Sequence, residues 1–157
     1  FFLTSLYIAF EGDNWKNNTG FLDPLNICTG SDALGLSFEQ KHIRDIELNG
    51  NYLVGELAAV KYWPKSVRKL DLGNNPGING TIPSKIFEIP RLKFLDLSKN
   101  NLEGSFFLDN DAFTNMPNLQ WLDLSYNNLE GPVTMNSSSS KITFPRLKGV
   151  RLSHNTL

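Results

Sequence analysis

The chain has little of what covalent cross-linking, membrane insertion or nucleic-acid binding would require. Cys28 is the only cysteine among 157 residues, so no disulfide can form within the chain. We expect its thiol to be a small buried apolar group rather than a reactive one, although an intermolecular bridge stays open. No run of about 18 apolar residues could cross a bilayer. The net charge of −1 lacks the basic excess of nucleic-acid-binding proteins, so we predict no nucleic-acid partner.

Residues for catalysis or metal binding are also scarce. The two histidines, His42 and His154, lie far apart in sequence with no cysteine near either. No HExxH, GxSxG, phosphate-binding glycine loop or paired cysteine ligand set occurs. We therefore predict that the protein is not an enzyme and binds no cofactor or metal.

What the sequence does contain is a repeat. The pattern LxxLxLxxN recurs five times, at spacings of 24, 25, 27 and 28 residues, beginning at Ile43, Val67, Leu92, Leu119 and Leu147. Alternation such as Leu95-Asp96-Leu97 places two side chains inward and one outward, as in a strand. A period of this length resembles the leucine-rich repeat, in which each unit lays one strand beside the last.

This resemblance implies an α/β solenoid. We expect a curved parallel β-sheet on the concave side, with short helices or turns on the convex side, including turns around Ile86-Phe87 and Phe113-Met116. One asparagine ends each strand, and we call this set the asparagine ladder: Asn51, Asn75, Asn100, Asn127 and Asn155. Their buried amides should pair with backbone groups, so Asn100→Leu should cost about 1–3 kcal/mol.

The two ends of the repeat array differ. Leu3, Leu6, Tyr7 and Phe10 follow helical spacing, which predicts a helix that covers the first edge of the core. We accordingly predict an amino-terminal helical cap over residues 1–42 and five repeats over residues 43–157. The sequence starts without Met and stops at Leu157, so we expect an incomplete last repeat without a cap. This indicates a processed or partial product, or a last repeat that a partner covers.

Two segments resemble a particular branch of the family. Gly80-Thr81-Ile82-Pro83 is similar to the plant-type repeat LxxLxLxxNxLxGxIP of receptor-like extracellular proteins and inhibitors of cell-wall enzymes, and residues 12–22 resemble its amino-terminal cap. The third and fourth repeats depart from this pattern, with Gly104-Ser105-Phe106 and Gly131-Pro132-Val133. The family's cap usually carries a cysteine pair, of which only Cys28 is present.

Outward strand positions carry two charged rows. The fifth motif position holds Glu47, Asp71, Asp96, Asp123 and Arg151, and the second holds Arg44, Arg68, Lys93, Gln120 and Lys148. Stacked carboxylates about 5 Å apart repel one another by about 1 kcal/mol per pair in water, and the basic row is expected to offset this. A row of single carboxylates lacks the converging loop of a calcium site. The charges either contribute to binding or only keep the face soluble.

Aromatic residues favour a binding face. Phe94 and Trp121 occupy the third motif position of adjacent repeats, and Tyr126 follows the fourth strand. Outward aromatics are costly unless something covers them, which predicts a contact patch for a partner. The predicted partner-binding set is Phe94, Trp121, Tyr126, Lys93, Asp71, Asp96, Asp123 and Arg151. The alternative is that the rings stack on each other or on a lysine stem.

Two functions remain open from sequence. The first is a non-enzymatic recognition module that binds a protein, a peptide or a glycan with its concave face. The second is a structural subunit docked permanently in a larger complex, membrane-associated or in an organelle lumen. Asn17, Asn79 and Asn136 are Asn-x-Ser/Thr glycosylation acceptors. They favour a secreted or extracellular protein, with an organelle lumen as the alternative.

Overall fold

The structure is a computed structural model that describes residues 2–16, 35–39, 42–105, 116–131 and 146–157. These residues form a parallel-strand solenoid with two sheets, which confirms the predicted fold class. The apolar residues of the repeats stack between the two sheets into one core that also includes the amino-terminal helix. Cys28, Asn17, Asn136 and Phe113 lie outside the described residues. No helix in the described ranges is long and apolar enough to span a bilayer.

The larger sheet contains the strands that the repeat pattern predicts. Its strands are, in spatial order, β1 (Leu36–Glu39), β2 (His42–Glu47), β4 (Lys69–Asp71), β6 (Phe94–Asp96), β8 (Trp121–Asp123) and β10 (Gly149–Arg151). All neighbours except β1 and β2 run parallel. The central residue of β4, β6 and β8 is a buried leucine, because alternate strand residues face the core.

The smaller sheet was not predicted from sequence. Its parallel strands are β3 (Val54–Glu56), β5 (Gly77–Gly80), β7 (Asn101–Ser105) and β9 (Asn128–Glu130). Each contains or follows the apolar residue after the asparagine, as with buried Leu102 and Leu129. The glycine two residues further on has a positive φ, for example 85° at Gly104, a conformation that residues with a side chain rarely adopt.

The asparagine ladder lies in the turns between the two sheets. Nδ2 of Asn100 donates hydrogen bonds to the carbonyls of Leu72 and Leu97, at 3.1 and 2.9 Å. Oδ1 of Asn100 accepts a bond of 2.9 Å from the backbone N–H of Asn75. Asn75, Asn127 and Asn155 repeat this arrangement in their own turns. Each side chain therefore joins two successive coils through backbone groups that the turn would otherwise leave unpaired.

The amino-terminal helix is present as predicted. Helix α1 (Phe2–Ala9) buries Leu3 and Leu6, and a short 3-10 helix (Gly12–Asn14) follows it. The edge of the large sheet is covered differently, because β1 (Leu36–Glu39) pairs with β2 in antiparallel fashion. Sequence analysis missed this strand, since its alternation is too short to distinguish from a loop. The boundary at residue 42 stays a prediction.

Short helical segments lie between strands of the two sheets. Helix α2 (Ser84–Phe87) buries Ile86 and Phe87, as the sequence predicts, and a 3-10 helix covers Leu57–Ala59. Both are single turns because the return segments contain few residues of helical periodicity. They cover the core on the side away from the large sheet's outer face. The outer face therefore consists of the outward residues of the strands.

Candidate binding site

Two columns of side chains run across the outer face of the large sheet. The strand register aligns Lys69, Phe94, Trp121 and Gly149 in one column, and Asp71, Asp96, Asp123 and Arg151 in the other. The predicted site residues of the second column are therefore direct neighbours. Parallel pairing in register produces this arrangement, because equivalent motif positions stack at the strand spacing of about 5 Å.

The aromatic pair Phe94 and Trp121 is half-buried rather than bare. Lys69 Nζ lies 5.3 Å from the centre of the Phe94 ring, and the Arg151 guanidinium lies 4.9 Å from that of Trp121. Trp121 also packs on Gly149, where a Cβ atom would come within 2.2 Å of the ring. The cations and the glycine support the rings, which hold an apolar surface in a fixed position at the centre of the face.

Tyr126 extends this aromatic surface into the next turn. Its φ of 58° is left-handed, and 48% of its surface is exposed. The ring stacks on His154 at 4.0 Å between centroids and 9° between planes, and Lys99 Nζ lies 5.9 Å from its centre. Non-glycine residues rarely adopt this backbone conformation, so the turn fixes the ring at a specific angle.

Asp71, Asp96 and Asp123 form a column that we call the aspartate column. Oδ1 of Asp96 accepts bonds from the backbone N–H and hydroxyl of Ser98, at 2.9 and 2.7 Å. Asp123 is bonded in the same way by Ser125, and its other oxygen lies 3.6 Å from Arg151. One oxygen of each aspartate therefore holds the turn that follows its strand. No described residue pairs with Oδ2 of Asp96, which leaves this oxygen available to a ligand.

The environment of Asp96 opposes its ionisation. Partial burial is the main reason that the pKa of Asp96 is raised above its usual value, and the nearby carboxylates of Asp71 and Asp123 add to the effect. The bonds from Ser98 act in the opposite direction. A positively charged group placed at Asp96 would relieve this repulsion.

A polar groove lies at the carboxyl ends of the strands. Its volume is about 510 Å³, and the residues that line it include Asp96, Asp123, Tyr126, Arg151, Ser98 and Lys99. We call it the carboxyl-end groove. Acidic, basic and hydroxyl groups stand beside an exposed aromatic ring, so the groove can hydrogen-bond a polar ligand while the ring packs against it.

One expectation about charge is corrected by the structure. The basic row at the second motif position does not neutralise the aspartate column, since Arg44 pairs with Asp45 and Arg68 with Glu39. Lys69 and Arg151 pair with the acidic row instead, at Glu47 and Asp123. The reason is that second-position side chains lie at the amino end of each strand, whereas the acidic row lies at the carboxyl end.

The predicted site set is also divided by position. Lys93 lies at the amino end of β6 and does not line the carboxyl-end groove. The structure adds Lys69, Ser98, Ser125 and His154, which sequence analysis did not select. The recurring Asp-Leu-Ser triplet at residues 96–98 and 123–125 was the available signal for the two serines.

The remaining reactive groups are dispersed. His42 is on β2 and His154 lies beyond β10, at opposite ends of the parallel array. Within the described ranges no three histidine, cysteine, aspartate or glutamate side chains are arranged to hold a metal ion. Asn79 is half-buried in β5, and its Nδ2 donates to the Gly77 carbonyl at 3.3 Å.

Comparison with known proteins identifies a similar family. Residues 65–129 match the family model described as Leucine rich repeat. The repeat region of the chain is therefore similar to the leucine-rich-repeat family. A segment of 73 residues is 36% identical to the receptor-like protein CLAVATA2 of Arabidopsis thaliana, covering 46% of this chain and 10% of that protein. The match thus spans about a tenth of the relative's length.

Solved structures of plant proteins are similar to this fold. A chain in the BIR3–SERK2 complex from Arabidopsis thaliana superimposes with a TM-score of 0.68 and 26% identity, over 98% of this chain and 79% of that one. The plant peptide hormone receptor RGFR1, solved in complex with RGF2, gives a TM-score of 0.62 and 26% identity, over 79% of this chain and 18% of that one. The fold therefore resembles that of these plant proteins, which is consistent with protein or peptide recognition.

Proposed function

We propose that this protein is a non-enzymatic recognition module that binds an extended peptide or a protein segment across the outer face of its large sheet. The observation that carries this is the fixed aromatic pair of Phe94 and Trp121 beside the carboxyl-end groove. Contact sites in proteins are typically a well-packed aromatic or arginine centre with polar groups around it. The likeness to RGFR1, which was solved with a peptide hormone, supports the same class of ligand.

The two columns would perform different tasks. The half-buried rings offer an apolar surface that loses water on binding. The rings need little further ordering, because cations and Gly149 already hold them in place. The aspartate column and its serines offer acceptors and donors for backbone or basic groups of a ligand. A glycan could use the same groove, with Tyr126 as a stacking surface, and is one outcome of the test.

Affinity selection tests this proposal. A library of random peptides is selected on the purified protein, and the dissociation constants of selected peptides are measured for wild type and Trp121→Ala. We expect Trp121→Ala to raise Kd at least about tenfold, because the ring is the centre of the patch. The melting temperature should change little, since the ring faces outward from the core.

Tyr62→Ala is the matched control, because Tyr62 is another exposed aromatic that lies outside the site. Its affinity should equal that of wild type. A large loss of thermal stability in Trp121→Ala with unchanged binding would contradict the proposal. Recovery of the native protein only in an assembly of fixed stoichiometry would favour the structural-subunit alternative.

We also place the protein in the secretory pathway or outside the cell. The support is the likeness to the receptor-like protein CLAVATA2 and to the peptide hormone receptor RGFR1, together with the Asn17, Asn79 and Asn136 acceptor sequences. Mass spectrometry of glycopeptides from the native protein is the measurement. Unmodified asparagines at all three positions would argue for another compartment.

A further inference from the structure

The amino ends of the large sheet's strands carry a second charged surface, which is not part of the carboxyl-end groove or the aromatic pair. Five exposed cations lie there, and we call them the basic edge: Lys65, Arg91, Lys93, Arg146 and Lys148. None of them forms an ion pair with any residue that the structure describes. The protein as a whole has a net charge of −1, so this positive charge is segregated to one edge rather than a consequence of composition.

Backbone and side-chain hydrogen bonds show that these residues are neighbours. The backbone N–H of Gln120 donates to the Lys93 carbonyl, and that of Lys148 donates to the Gln120 carbonyl, each at 2.8 Å. On the adjoining turns Arg146 donates to Asn118 at 2.9 Å, and Asn118 donates to the Pro90 carbonyl at 3.0 Å. The basic edge therefore extends across the strands from the second repeat to the fifth. The fourth repeat contributes the neutral residue Gln120 at the equivalent position.

A pocket marks one end of the basic edge. Its volume is about 500 Å³, and Lys65 and Arg91 line it together with Glu39, Ser66 and Pro90. The pocket has room for an acidic side chain and its neighbours. The positive charges of Lys65 and Arg91 beside it attract an anion, and the guanidinium of Arg91 has the planar geometry that pairs with a carboxylate.

The chain itself shows what this edge accepts. Strand β1 is an extended segment, and Glu39 at its end pairs with Arg68 at 2.5 Å. Arg68 and Lys93 occupy the second motif position of successive repeats. The Arg68 carbonyl accepts a hydrogen bond from the Lys93 N–H at 2.8 Å. An extended backbone with an acidic side chain thus already satisfies one cation of the row. The following cations have no such partner among the residues that the structure describes.

We propose that the basic edge is a docking surface for an extended acidic segment of a protein partner, whose carboxylates pair with Lys65, Arg91 and Lys93 and continue towards Arg146 and Lys148. The surface is at the opposite end of the strands from the carboxyl-end groove. It is therefore separate from the site of the proposed peptide ligand. Either proposal can hold if the other fails.

The probe is a fluorescently labelled oligoglutamate peptide, and anisotropy measures its binding to the purified protein. We expect saturable binding that weakens as NaCl rises from about 0.05 to about 0.3 M, because exposed ion pairs are screened. The double variant Arg91→Gln/Lys93→Gln should raise Kd about tenfold. Trp121→Ala should leave this Kd unchanged.

The matched control is Lys61→Gln/Lys85→Gln, which removes the same charge from exposed lysines elsewhere. It should retain wild-type affinity. Equal losses in the two double variants would mean non-specific attraction and would overturn the proposal. So would absence of oligoglutamate binding, or binding of an oligogalacturonate with no binding of the peptide, since the latter would identify an acidic glycan as the ligand.

Discussion

The asparagine ladder and the aspartate column use side chains of nearly the same shape in the same repeats, yet their surroundings are opposite. Asn100 is buried, and both ends of its amide pair with backbone groups. Asp96, four residues earlier, is half-exposed and uses one oxygen to hold its own turn. The ladder connects successive coils, whereas the column faces outward across the sheet.

The difference follows from the chemistry of the two groups. A neutral amide is both donor and acceptor, so it can satisfy N–H and C=O groups in a buried turn without carrying charge into the core. A carboxylate only accepts and is costly to bury unless it is paired: Asp96 is half-exposed, whereas the buried carboxylate of Asp123 is bonded by Ser125 and lies beside Arg151. Stability should therefore depend on the ladder and binding on the outward columns.

The largest expected effect is in the ladder. Asn100→Leu leaves the Asn75 N–H without its partner and removes one of the two asparagine bonds at each of the Leu72 and Leu97 carbonyls, and an unpaired buried group costs about 1–3 kcal/mol. We expect the free energy of unfolding to fall by about 3 kcal/mol in a urea titration. Asn101→Leu at the exposed next position is the control, with a change of about 0.5 kcal/mol. Similar losses in both variants would remove the distinction between buried and exposed amides.

An intermediate effect is expected on the outward face. In Gly149→Ala the new methyl would lie 2.2 Å from Trp121, so the ring must move, while the backbone of residue 149 suits alanine. We expect the selected peptides to bind about tenfold more weakly. The free energy of unfolding should change by about 1 kcal/mol or less. Unchanged affinity would show that the position of the ring does not matter for binding.

The smallest effect concerns the pH dependence of Asp96. Because its pKa is raised mainly by burial, the folded state binds more protons than the unfolded state in the interval above the ordinary value. The free energy of unfolding therefore falls as pH rises through that interval. Asp96→Asn keeps an acceptor for Ser98 and should be slightly more stable than wild type at neutral pH, with the advantage disappearing in acid. An advantage that grows in acid would contradict this cause.

Particular residues show how far sequence analysis reached. The LxxLxLxxN spacing predicted the parallel strands, the burial of Leu95 and Leu122, and the register that aligns Asp96 with Asp123. It missed β1 and the smaller sheet, because short strands without clear alternation have no periodic signal. It expected the basic row to offset the acidic row, whereas Arg44 and Arg68 pair with Asp45 and Glu39, because motif position does not specify towards which end of a strand a long side chain points.

The sequence by itself determined the solenoid, because apolar residues that recur at a fixed period become buried together when successive repeats stack on one another. Tertiary structure decided what surrounds the outward residues. Lys69 and Arg151 cover the rings of Phe94 and Trp121, and Gly149 leaves space for Trp121. These contacts join residues from different coils, and their geometry depends on strand spacing and side-chain direction rather than on any local pattern.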